Sequence, residues 1–67
     1  MTKWYQVTVR GETAEYAVMG RVNVSATSKR AALTAAAALS ADSVRWFEND
    51  DRVLSLTRAL HAEQVSL

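Results

Sequence analysis

Hydrophobic and polar residues alternate twice near the start of the chain. Over residues 4–9, Tyr5, Val7 and Val9 take one parity and Trp4, Gln6 and Thr8 the other, which predicts a β-strand. Arg10-Gly11-Glu12-Thr13 then reads as a turn. Residues 16–25 alternate again: Tyr16, Val18, Val22 and Val24 share a parity with Gly20, and Met19, Arg21 and Asn23 take the opposite one. Gly20 reads as a bulge or a bend. The two strands are expected to form an antiparallel hairpin.

The period changes at Thr27. Residues 27–41 are strong helix formers, with Thr27 or Ser28 as the N-cap. Ala32, Leu33, Ala36, Leu39 and Ser40 form a narrow face that would lie across the inward valines of the hairpin. Residues 44–48 return to strand alternation, with Val44 and Trp46 against Arg45 and Phe47, and Asn49-Asp50-Asp51 is a turn signal. Residues 52–60 fit two patterns. Leu54, Leu56 and Leu60 share a strand parity, whereas Val53, Leu56 and Leu60 fit a helix capped by Asp50 or Asp51. A strand to about Thr57, completing a second hairpin, is the expectation. Residues 61–67 are expected to be a loose tail, leaving an ordered core of residues 3–60 in a single domain. The predicted fold is α+β, in the order ββαββ, with one helix on one face of an antiparallel sheet. The other face would carry Trp4, Gln6, Thr8, Met19, Arg21 and Asn23.

Several residues of this pattern, Tyr5, Val7 and Val9, then Val22, Val24, Ala26, Ser28 and Ala32, followed by an acidic strand-turn, resemble the small DpnD/PcfM-type domains of bacteria, phages and mobile elements. The resemblance covers about residues 3–57 and implies a fold, with no activity to carry over. Those domains typically have glutamates after the serine, where this chain has Lys29 and Arg30. The element order is also similar to that of small phage-encoded anti-CRISPR proteins among the type I-F inhibitors.

Composition narrows the classes. A 67-residue chain buries only about 60% of its unfolded surface and has a few kcal/mol of stability to spend. It has no cysteine, so disulfides and thiolate metal sites are excluded, and a self-association interface is the stabilising device left. The net charge of +1 is not the field of a general polyanion binder, although arginine outnumbers lysine six to two. No apolar run approaches the ~20 residues of a membrane span, and no targeting segment is visible, so a soluble, cytoplasmic protein is expected.

Lys29 and Arg30 stand out because a helix start favours anions and disfavours cations by about 0.3–1 kcal/mol each. A phosphate or the acidic side chains of a partner would resolve the mismatch. The plain alternative is that both side chains extend into water. The back of the helix, Thr34, Ala37, Ala38 and Ala41, carries no charge, which suits packing against another helix or simply reflects alanine's helix propensity. Trp4, Met19 and Arg21, joined by Trp46 or Phe47, could form an aromatic and arginine cluster on the open sheet face, unless the tryptophans fill the core. Arg45, Arg52 and Arg58 could line up as a basic stripe, locally balanced by Glu48, Asp50 and Asp51.

Catalysis finds little to work with. His61 is the only histidine, there is no cysteine nucleophile, and the two glycines make no phosphate-cradling loop. The acidic residues near the turn match no calcium loop. A non-enzymatic interaction protein is expected, with no cofactor and no metal. As the resemblance and the shared element order suggest, it would be a phage or mobile-element accessory protein. Its most concrete form is an anti-CRISPR-like inhibitor of a host defence nucleoprotein, with Lys29, Arg30, Arg21, Trp4 and Arg45 as contact residues. The alternatives are a nucleic-acid-binding module that uses the same arginines and a structural homodimer.

Overall fold

A computed structural model describes residues 1–48 and 52–66. The turn signal at Asn49-Asp50-Asp51 therefore lies outside the described residues, as does Leu67. Strand β1, Lys3–Glu12, and strand β2, Ala17–Ala26, pair antiparallel without a register shift, from Lys3 opposite Ala26 to Glu12 opposite Ala17. The expected hairpin forms, but its turn comes later than Arg10–Thr13. Thr13 makes the reversal: its N–H donates to the Tyr16 carbonyl at 2.9 Å, and its Oγ1 accepts from the Tyr16 N–H at 3.1 Å. Arg10, Gly11 and Glu12 remain in the strand.

Gly11 stays in the strand because it forms part of a slot. A Cβ on Gly11 would lie 2.4 Å from Cη2 of Trp46, and one on Gly20 would lie 2.6 Å from its Cε3. The indole thus lies over both glycines and is 5% exposed. Gly20 is accordingly neither a bulge nor a bend; it is a close-approach site in a regular ladder. The Trp46 Nε1–H donates to the Ala41 carbonyl at 3.0 Å, so the buried indole is not left unsatisfied.

Helix α1 spans Lys29–Ala37, shorter than the 27–41 expected. Ser28 is the cap, its Oγ accepting from the Ala31 N–H at 3.1 Å. Ala32 and Ala36 are completely buried, and without bulky side chains they bring the helix close to the sheet. Leu33 and Leu39 flank them, while Ser40, expected on the same face, is exposed and outside the helix. The chain leaves the helix early and passes through a 3₁₀ turn, Ala41–Ser43, which delivers Val44 and Trp46 to the core.

Strand β3 is only Arg45–Trp46 and pairs with β2; strand β4, Ser55–Val65, pairs with β1. The sheet order is β3-β2-β1-β4. The expected second hairpin does not exist, because its two strands lie on opposite edges of the sheet. Trp46 is held at the β2 edge by its glycine slot. The second edge of β1, with Val7 and Val9 fully buried beside it, is satisfied by β4 instead. Residues 61–65 are accordingly strand and not a loose tail: Ala62 sits opposite Val7, is buried, and belongs to the core beneath the helix.

The pairing of β4 with β1 shifts register twice, leaving Leu60 and Thr57 with no opposite residue. These irregularities bring Ala62, Ala59 and Leu56 onto the side of Val7, Val9 and Gly11. They also break the flatness of an exposed edge, a feature that discourages strand addition. The result is an α+β layer: four antiparallel strands with one helix on one face, packed against β4, β1 and β2 and most extensively against β4. Among the described residues, no helix is long and apolar enough to cross a membrane.

Candidate binding face

The helix covers one face of the sheet, so the outward parity of every strand lies on the other. Cross-strand register gathers four arginines there, with Glu12 at the end of β1 and Glu63 of β4 opposite Gln6 on the same face. One row runs Arg45 of β3, Arg21 of β2, Thr8 of β1 and His61 of β4. The next runs Met19, Arg10 and Arg58. Neighbouring strands lie about 4.8 Å apart. The face therefore contains two pairs of directly opposed arginines, Arg21 with Arg45 and Arg10 with Arg58. All four are exposed. Like charges in this position destabilise a sheet.

Phe47 continues past β3, its N–H donating to the Met19 carbonyl at 3.0 Å. Its ring is 56% exposed. The Arg21 guanidinium carbon lies 4.8 Å from the ring centroid, within cation–π range. A groove of about 550 Å³ opens beside this pair. Arg21, Arg45 and Phe47 form one part of its wall, with Gln6, Asn23 and Ser43 as the polar remainder and Val22 as the apolar contribution. The volume falls in the range of ligand sites, roughly 300–1,000 Å³. Among the described residues, no carboxylate lines it. β3 is short, and among the described residues no strand pairs with the β2 edge at Val22 and Asn23, which leaves room for the groove.

The five contact residues expected from the sequence do not share one surface. Arg21 and Arg45 are adjacent. Trp4 is on the same face, 45% exposed, next to Gln6 along the outward parity of β1 but beyond the groove wall. Lys29 and Arg30 begin the helix on the opposite layer, with no acidic residue in the first turn. Trp46 belongs to the core, whereas Phe47 is at the surface. Arg45 and Arg58 do not form a stripe on one hairpin; they stand on the two outer strands of the same face. Arg52 is exposed and outside the strands.

Arg10 and His61 were missed as members of this face. Arg10 has the parity of Trp4, Gln6 and Thr8, and continuing the first strand by one residue places it there. His61 is hidden by the irregular register of β4. Among the described residues, no group of His, Asp and Glu could hold a metal ion, and no buried side-chain polar atom lacks a partner. Comparisons of the chain with family models, curated proteins and solved structures give no match.

Proposed function

We propose that the chain is a non-enzymatic interaction module that docks through the open face of its sheet on a negatively charged partner. The observation that carries this reading is the pair of opposed arginines, Arg21 and Arg45, with a second such pair, Arg10 and Arg58, in the next row. Opposed cations cost stability in the free protein, and an anionic partner would turn the same placement into an attraction. The exposed Phe47 and Trp4 supply aromatic anchors of the kind that dominate binding interfaces.

In its most concrete form, the partner is a host defence nucleoprotein, and the protein is an inhibitor that covers a surface needed by nucleic acid or by a partner subunit. The arginine pairs of the open face support this version; the element order, similar to that of small anti-CRISPR proteins, is an analogy of fold alone. Such a role belongs to a phage or mobile-element accessory protein acting in the cytoplasm of its host. The test is affinity capture from bacterial lysate with the wild-type chain and with an R21E/R45E variant whose fold is verified by circular dichroism. Recovery of one nucleoprotein by the wild type and its loss with the variant is the expected outcome. Equal recovery by both would overturn the docking face.

A further inference from the structure

We infer that the groove at the β2 edge is a nucleotide subsite, by which the open face takes hold of single-stranded nucleic acid. The inference rests on the docking face proposed above and names the chemistry of its ligand.

The groove combines three kinds of group that a nucleotide of a single strand requires. The first is cationic: Arg21 and Arg45 stand opposite each other across two strands, so one phosphate placed over them would meet both guanidinium groups. The second is aromatic. Phe47 is more than half exposed, and one of its neighbours is the Arg21 guanidinium. A flat base can stack against such a ring whatever its sequence, because every base presents a π-face. The third is a set of neutral hydrogen-bonding side chains, Gln6, Asn23 and Ser43, on the remaining wall. Amide side chains offer both donors and acceptors, which suits a base edge or a sugar hydroxyl.

Charge argues for phosphate over an acidic peptide only in combination with the ring and the amides. A carboxylate would satisfy the arginines but would make no use of the exposed part of the Phe47 ring or of the amide wall. A duplex fits poorly because its bases are stacked on one another and cannot reach Phe47. The rest of the face extends the site. Arg10 and Arg58 lie in the neighbouring row, which lets them take the next phosphates of the same strand. Trp4, at the other end of the outward parity of β1, offers a second stacking surface.

The experiment is fluorescence anisotropy of labelled homopolymers of thymidine and of uridine, with the corresponding duplexes and heparin as competitors. The full chain is titrated at several salt concentrations. Expected is binding to the single strands, with weaker binding to duplex. R21E/R45E should reduce the magnitude of the log-affinity against log-salt slope by about 0.7, the contribution of the one phosphate that the two arginines share on a single strand. F47L, which retains bulk but not the ring, should weaken binding about ten-fold, the size of one lost base–aromatic stack. R45K should retain most of the salt dependence, because it keeps the charge. Circular dichroism of each variant establishes that it is folded.

Equal affinity for single strand, duplex and heparin, with F47L unchanged, would overturn the subsite, since a featureless cationic surface behaves that way. Absence of any single-strand binding at low salt would also overturn it. If R21E/R45E still abolished capture of the lysate partner in that case, the docking face would stand with a protein ligand. If capture were unaffected as well, both would fall.

Discussion

Arg21 of β2 and Arg45 of β3 occupy directly opposite positions across two strands, with Phe47 against the Arg21 guanidinium at 4.8 Å. Each arginine is exposed, so solvent screens much of the repulsion. The arrangement is still the reverse of what stabilises an antiparallel ladder. An R45E substitution replaces the repulsion with an attraction and is expected to raise thermal stability slightly, by a few tenths of a kcal/mol at most, while removing binding to anionic ligands. Parallel melting and binding curves check this pair of opposite signs. A loss of both stability and binding would mean that Arg45 serves the fold.

The Trp46 slot makes a second prediction. Removing the indole by W46A should cost about 3–5 kcal/mol, which exceeds the few kcal/mol available to so small a domain. The variant is expected to lack a cooperative thermal transition in circular dichroism. G11A and G20A should also destabilise, by about 1–3 kcal/mol or more, because each new methyl would meet backbone oxygen as well as the indole: Ser55 O at 2.9 Å for Gly11 and Arg45 O at 2.9 Å for Gly20.

The C-terminal residues are expected to be indispensable. Deleting residues 61–67 leaves Trp4–Thr8 without their β4 partners and removes buried Ala62 from the core. Urea unfolding of the truncated chain should show no native baseline. A single A62D substitution, which buries a charge against Val7, should have nearly the same effect. A truncated chain with an unchanged midpoint would contradict the strand.

At the helix start, S28A should lose the cap and about 1 kcal/mol, a drop of roughly 4–8 °C in Tm. K29E/R30E adds acids where the helix favours them and should gain a similar or smaller amount. Because Lys29 and Arg30 are on the layer opposite the arginine rows, the double variant should bind anionic ligands as the wild type does. Calorimetry and anisotropy on the same samples check both halves.

The hairpin, the capped helix and the layer class were legible in the sequence because each rests on local periodicity: two-residue alternation through Tyr5, Val7 and Val9, and the polar cap before an alanine run. The partners of the last two strands were not legible. Strand pairing is a non-local choice, and the decisive fact was a shape match between Trp46 and two glycines far apart in sequence. The register irregularities at Leu60 and Thr57 add a second obstacle. They set the inward residues Leu56, Ala59 and Ala62 three apart, so the last strand imitates a helical spacing and loses its two-residue signature. The candidate site suffered in consequence. Arg21 and Arg45 could be named singly, and Arg10 follows from the parity of the first strand, but the opposition of the arginines, and the presence of Arg58 and His61 on the same face, follow only from the sheet order and register.

The most direct test of where the ligand sits is an amide chemical-shift titration of the labelled chain with a short thymidine homopolymer. Perturbations centred on Arg21, Asn23, Ser43, Arg45 and Phe47, extending to Arg10 and Arg58 and sparing residues 29–37, are the predicted result. Perturbations centred on Lys29 and Arg30, or none at a saturating concentration of the homopolymer, would contradict it.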